Sequence, residues 1–202
     1  VWAKNYKIPF QSNIKIYQEK ILTSNQKNNF YFLNKKNGEV LRLIPTEETF
    51  VKNRFINNLS ISQHNSFFLN TYGSLYSFDN KSMKVNWFIN LNRSTDINPS
   101  NLFMSNQIIT NEKLIIVSSN DYLYVLDKNN GSTIFKKNFP SKIKPIISNN
   151  YLFSLSKKDL LILMSLKDGK IIYSYDVNQK IADYYETKKK KAEFQSILIA
   201  DN

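Results

Sequence analysis

A thirteen-residue phrase recurs four times in the 202-residue chain: FYFLNKKNGEVLR at Phe30 to Arg42, LYSFDNKSMKVNW at Leu75 to Trp87, LYVLDKNNGSTIF at Leu123 to Phe135, and LILMSLKDGKIIY at Leu161 to Tyr173. Anchored on Gly38, Met83, Gly131 and Gly169, its periods are 45, 48 and 38 residues. Repeats of roughly 40 to 50 residues with strand-like contents point to a ring or array of small sheets.

The columns of the phrase have physical meanings. Phe30, Leu75, Leu123 and Leu161 share one position, and Leu33, Phe78, Leu126 and Met164 share another three residues on. Tyr31, Tyr76, Tyr124 and Ile162 lie between them, so the run is apolar on both faces, as in a strand buried between packed layers. A polar stretch follows, such as Asp127 to Gly131 or Ser165 to Gly169, where Asn or Asp before Gly supplies a tight reversal. Four residues past each anchor stand Arg42, Trp87, Phe135 and Tyr173, so three of four repeats place a ring there to pack on a neighbouring sheet.

Eight residues before the first column lie Leu22, Phe67, Ile115 and Phe153, each within a second apolar run. The turns joining the two runs are Asn25 to Asn29, Tyr72-Gly73-Ser74, Ser119-Asn120-Asp121 and Lys157-Lys158-Asp159. Shorter apolar segments precede them at Ile14-Lys15-Ile16, Leu59-Ser60-Ile61, Ile108-Ile109 and Ile146-Ile147. Each repeat therefore reads as a four-stranded antiparallel meander, over approximately residues 9–52, 53–96, 97–141 and 142–187 of one domain. One such sheet cannot bury both faces, and radial packing of several solves the problem, so the expected fold class is an all-β propeller of four-stranded blades. An all-β sandwich is the alternative, but it does not require the same turn and ring columns in every hairpin.

The two ends carry part of the pattern. Val1-Trp2 resembles Val85-Asn86-Trp87, the close of a repeat, and Ser196 to Asn202 resembles the opening strand of a fifth. The expectation is about four blades plus partial blades at both termini, a fraction of a larger ring.

Composition excludes several classes. Hydrophobic residues at 42% are sufficient for a core, so global disorder is excluded. No segment reaches the roughly 18 uninterrupted apolar residues of a membrane-spanning helix. The absence of cysteine removes disulfides, thiolate metal sites and cysteine nucleophiles, and leaves the compartment undecided.

The net charge of +12 raises binding to nucleic acid or another anionic polymer as a function. Against it, Arg42, Arg54 and Arg93 are the three arginines beside 25 lysines, whereas bidentate base or phosphate recognition favours arginine. Most lysines are expected to solvate turns and strand edges. One dense run, Lys188, Lys189, Lys190 and Lys191, follows Tyr184-Tyr185-Glu186-Thr187. It reads as a solvated surface loop or as a partner-docking loop for an acidic protein or lipid head groups.

Catalytic constellations do not assemble along the chain. His64, the sole histidine, sits in the turn Ser62 to Asn65 without a nucleophile or acid nearby in sequence. Asp79 and Asp127 share a column with Asn34 and Ser165, which favours turn capping over acid–base work. Glu47-Glu48 occupies a polar connector. Phosphate loops, zinc motifs and calcium loops are missing, so catalytic, cofactor-binding and metal residues are all expected to be none.

The phrases LYVLDKNNGSTIF, LYSFDNKSMKVNW and LILMSLKDGKIIY resemble the pyrroloquinoline-quinone-like propeller repeat: leucine-tyrosine-alanine-leucine-aspartate, a short turn, then glycine-lysine-valine-leucine-tryptophan. The resemblance covers nearly the whole chain and implies one of two functions. One branch contains quinone-dependent dehydrogenases, which imply a calcium site of Glu, Asn and Asp, a base over the cofactor and often a cysteine pair. The other is non-enzymatic and includes an outer-membrane protein assembly factor. That branch implies a periplasmic lipoprotein that binds the barrel-inserting subunit through loops on one face, with membrane contact only through a tether outside this chain. Departures at Arg42, Met83 and Ser165 indicate a diverged scaffold, so the second branch is the expected one, with protein partners and no cofactor.

Overall fold

The structure, a computed structural model, describes residues 1–48, 56–92, 102–119 and 121–200. Arg54, Arg93, Asn120, Asp201 and Asn202, named above, lie outside the described residues. The chain divides into two compact units, Val1–Met104 with Asn129–Ser132, and Ser105–Lys128 with Thr133–Asn202.

The first unit contains two four-stranded antiparallel meanders. Strands β1 (Lys15–Tyr17), β2 (Lys20–Ser24), β3 (Phe30–Asn34) and β4 (Val40–Ile44) form one sheet in chain order. Strands β5 (Asn58–Ser62), β6 (Asn65–Leu69), β7 (Ser74–Asp79) and β8 (Lys84–Asn90) form the other. The doubly apolar phrase falls on the third strand of each sheet, and β3 is buried along Phe30 to Leu33. Between the sheets lies a core rich in rings, made of Leu22, Phe30, Phe32, Leu59, Phe68 and Phe78. Phe30 stacks on Phe78 with centroids 4.4 Å apart, and Phe32 meets Phe30 edge-on at 5.2 Å. Such pairs add about 0.5–1.5 kcal/mol each beyond their buried area. The inner strands are joined by polar contacts too: Asn13 donates to the Leu59 carbonyl at 2.7 Å and accepts from the Leu59 N–H at 2.8 Å.

The second unit repeats the plan with aliphatic side chains. Its sheets are β9 (Ile109–Thr110), β10 (Leu114–Ser118), β11 (Leu123–Asp127) and β12 (Thr133–Lys137), then β13 (Ile146–Ser148), β14 (Tyr151–Leu155), β15 (Leu160–Ser165) and β16 (Ile171–Asp176). Ile109, Ile116, Leu123, Val125, Leu152, Ile162, Met164 and Leu166 form the core.

One irregularity recurs in all four sheets. Between third and fourth strands the register shifts after Phe32, Ser77, Val125 and Leu163. Phe32 faces Arg42 while Leu33 faces Val40, which leaves Leu41 as an extra residue. Asn86, Ile134 and Ile172 are the equivalents. A bulge of this kind bends and twists its strand, and here it immediately precedes the ring column.

The ring column then meets the turn anchors. Gly38 has φ +70°, and a Cβ built there would lie 2.4 Å from the Trp2 ring. At Gly131 the corresponding distance is 2.6 Å from Trp87, and at Gly169 it is 2.9 Å from Phe135. Trp2 thus stands to Gly38 as Trp87 stands to Gly131, in keeping with the likeness of Val1-Trp2 to Val85-Asn86-Trp87. Asn34 and Asp79 do cap their turns, accepting the Lys36 N–H at 2.8 Å and the Ser82 N–H at 2.5 Å. That bond from Ser82, foremost, holds the Asp79 carboxyl below its ordinary range.

The C-terminal part differs from the expected opening strand. Helix α1 (Val177–Tyr184) follows β16, and residues 187–200 form no strand. Every opening strand in the four sheets bonds to the second strand of its own sheet, and Ser196 to Ala200 have no such neighbour among the described residues.

Candidate functional site

In all four sheets the loop between second and third strands opens on the same device, at the strand ends where the sheet-to-sheet connectors also lie. Asn25 Oδ1 accepts the N–H groups of Lys27 and Asn29, both at 3.0 Å, and Asn70 Oδ1 accepts those of Tyr72 and Ser74, also at 3.0 Å. Ser119 Oγ accepts the Tyr122 N–H at 3.2 Å, and Ser156 Oγ accepts the Leu160 N–H at 3.1 Å. A short polar side chain that satisfies backbone donors locally makes these loops rigid.

In the first unit the loops are cross-linked. Asn28 Nδ2 donates to Thr71 Oγ1 at 2.9 Å and to the Glu47 carbonyl at 3.0 Å, while buried Asn57 donates to Asn28 Oδ1 at 3.2 Å. The Glu47 carboxylate accepts from Asn70 Nδ2 and Ser74 Oγ at 2.7 Å and from the Tyr76 hydroxyl at 2.8 Å. Burial pushes the Glu47 carboxyl up, but the hydrogen bonds, led by Ser74, outweigh it and leave the group below its usual range. Tyr76 is held well above its ordinary value by burial first and then by the bond to Glu47 and its charge. Glu47 is thus an ionised clamp between loops, with its proton sites occupied by structural donors.

His64 is exposed, with Nδ1 3.0 Å from the Tyr17 hydroxyl and the two rings edge to face. Among the described residues, no group of three or more His, Cys, Asp or Glu side chains is placed to hold a metal ion.

The fourth sheet shares an exposed apolar outer strand with the first, in which Val40, Leu41 and Leu43 of β4 are exposed. Its outer strand β16 is exposed from Ile171 through Tyr175, with one edge unpaired because β16 ends the sheet order. Ile172 is 50% exposed, and Tyr173 stacks on Tyr175 at 5.7 Å. Helix α1 starts directly from this strand because Asp176 accepts the Gln179 N–H at 3.0 Å, an N-cap. Asn178 and Ala182 are the buried side of α1. Asn178 donates to Asp159 Oδ2 at 3.1 Å and accepts the Ala192 N–H at 2.9 Å. Asp159, itself buried, also pairs with Lys142 Nζ at 2.6 Å, and that bond chiefly holds its carboxyl below the usual range.

The lysine run Lys188–Lys191 lies exposed after α1, and it is not uniform. Lys189 pairs with Asp176 at 2.5 Å, and the charge of Lys191 acts on Asp159. One of the four, Lys189, is therefore engaged by an acid of its own chain. Helix α1, which no repeat column announces, brings Lys189 back beside Asp176. An Asp before Val-Asn-Gln, read as an N-cap, was the available signal. Glu47 was missed as well, because its partners lie 23 to 29 residues away and do not recur in other repeats.

Four meandering four-stranded sheets with this shared bulge define the β-propeller class, and solved structures agree with the assignment. The chain is similar to BamB from Moraxella catarrhalis, with a TM-score of 0.65 at 13% identity over 86% of this chain and 52% of that one. It is similar to the quinohemoprotein alcohol dehydrogenase ADHIIG from Pseudomonas putida HK5, with a TM-score of 0.66 at 9% identity over 87% of this chain and 35% of that one. The Swd1 β-propeller domain of Myceliophteria thermophila matches with a TM-score of 0.62 at 10% identity, over 84% of this chain and 55% of that domain. The chain spans about half the length of the BamB structure. No protein-family model and no curated protein matches it. At these identities the likeness is one of fold, shared by a dehydrogenase and by proteins of other kinds.

Proposed function

We propose that the chain is part of a non-enzymatic propeller scaffold that docks protein partners at the periplasmic face of the outer membrane, during assembly of outer-membrane proteins. The observation that carries this reading is β16, an outer strand with an unpaired edge and exposed apolar side chains at Ile171, Ile172, Tyr173 and Tyr175. A row of unpaired N–H and C=O groups flanked by apolar side chains fits the addition of a partner's strand. The structural likeness to BamB supports the setting, and the resemblance of the repeats to an assembly-factor branch makes the barrel-inserting subunit the partner to test.

The test is capture from envelope extract by the immobilised chain. Wild-type chain is expected to recover the barrel-inserting subunit, and the double variant Ile172→Lys, Tyr175→Lys is expected to lose at least about 90% of it, since lysine on an edge strand opposes pairing. Recovery that is absent, or undiminished in the variant, contradicts the reading.

A second reading rests on the likeness to the quinohemoprotein dehydrogenase: a quinone-dependent dehydrogenase propeller. A bound chromophore and dye reduction on adding pyrroloquinoline quinone with calcium would favour it, and neither appearing in the full-length protein would remove it.

A further inference from the structure

Helix α1 has two unlike sides. Asn178 and Ala182, four residues apart, are buried against the fourth sheet. Ile181, Tyr184 and Tyr185 follow the spacing i, i+3, i+4 and are 40%, 81% and 67% exposed. Three large apolar side chains on one exposed side of a short helix invert the usual arrangement, in which that side is polar. The two phenol rings meet edge to face with centroids 4.9 Å apart, so they form one patch.

The flanks of the patch are basic. Lys180 lies on the helix, and Lys188 and Lys190 lie in the run after it, all exposed. Lys189 is held by Asp176, and Asp159 is held by Lys142, so these two acids are already engaged within the chain. Segment 177–191 contains five lysines against Asp183 and Glu186, and no arginine. Lysine is a flexible point charge that suits a diffuse layer of anionic groups, whereas a defined carboxylate or phosphate pocket favours the arginine fork. Phenol rings, with an apolar body and a polar tip, suit the boundary between headgroups and acyl chains.

We propose that Ile181, Tyr184 and Tyr185, with Lys180, Lys188 and Lys190, form a peripheral docking surface for an anionic phospholipid bilayer. The rings enter the interfacial layer, and the lysines lie over the headgroups. This surface is distinct from the β16 edge and does not rest on the scaffold reading.

The experiment uses the whole chain with vesicles of phosphatidylcholine, with and without phosphatidylglycerol. Co-sedimentation is expected only with the anionic vesicles. Lys188→Gln with Lys190→Gln, and separately Tyr184→Ser with Tyr185→Ser, are each expected to weaken it by about ten-fold or more. Because all four residues are exposed, the urea midpoints of the variants should match the wild type, which separates lost binding from lost folding. Tyr184→Trp, read as a difference from wild-type fluorescence, is expected to shift to the blue on anionic vesicles alone. Absent sedimentation, undiminished binding by the double variants, or an unshifted spectrum overturns the proposal. Equal binding and an equal shift with polyglutamate overturn it in favour of an acidic protein partner.

Discussion

The turn at Met83 and the turns at Gly38 and Gly131 have the same left-handed backbone, with φ of +57°, +70° and +76°. Over each glycine lies an indole, so close that a Cβ would sit 2.4 Å from Trp2 or 2.6 Å from Trp87. Met83 has that Cβ and a long side chain beyond it, half-buried against the aromatic core of the first unit. At the ring column of the preceding repeat stands Arg42, which is exposed. Bare turn goes with ring, and filled turn goes with no ring. By the order of the repeats the two departures fall on one ring-and-turn pair: at the other three turns a ring lies over a glycine, and here the turn residue itself packs on the core.

The largest effect is expected where a side chain is forced beneath an indole. Gly131→Ala adds a Cβ 2.6 Å from the Trp87 ring and places a non-glycine residue at positive φ, and should cost about 3 kcal/mol by urea denaturation. A loss below about 1 kcal/mol would show that Trp87 moves aside easily and that the pairing of ring with glycine is loose.

Next in size is removal of the cover. Trp87→Ala should cost about 2–3 kcal/mol, below the fully buried aromatic range because the ring is half-buried. Arg42→Ala should stay within about 0.5 kcal/mol. Similar losses in the two variants would contradict the contrast.

The smallest and most discriminating effect is the coupling. Arg42→Trp alone should destabilise by about 1–2 kcal/mol through overpacking on Met83. Combined with Met83→Gly it should do less harm than the two single changes added together, with a coupling of about 1 kcal/mol or more. Strict additivity would break the link between the two sites.

The strands of the propeller were legible because burial demands apolar residues in the same columns of every sheet, fully at Phe30, Leu75 and Leu123 and by half at Leu161. The ring and glycine columns were each visible, yet their mutual dependence was not: Trp2 and Gly38 are 36 positions apart, and only the fold brings them together. Polar features were legible in proportion to their repetition. The Asn25, Asn70, Ser119 and Ser156 device was half visible as turn residues, because Ser119 shortens its loop by one residue. Glu47 acts once, so no column announced it. The helix at Val177–Tyr184 has no counterpart among the described residues of the other repeats, and its eight residues are too few for periodicity to speak.

The recurrent extra residue at Leu41, Asn86, Ile134 and Ile172 has a bearing on how such a chain tolerates change. Side chains alternate between faces with a period of two, so one surplus position inverts the parity of everything after it on the outer strand. Losing Ile172 would remove the bulge and leave Tyr173 opposite Leu163 and Ile171 opposite Met164, each on its present face. In this architecture each outer strand carries one residue it can lose with its pairing to the third strand intact, at the cost of the local bend, whereas a two-residue deletion would also take a paired position.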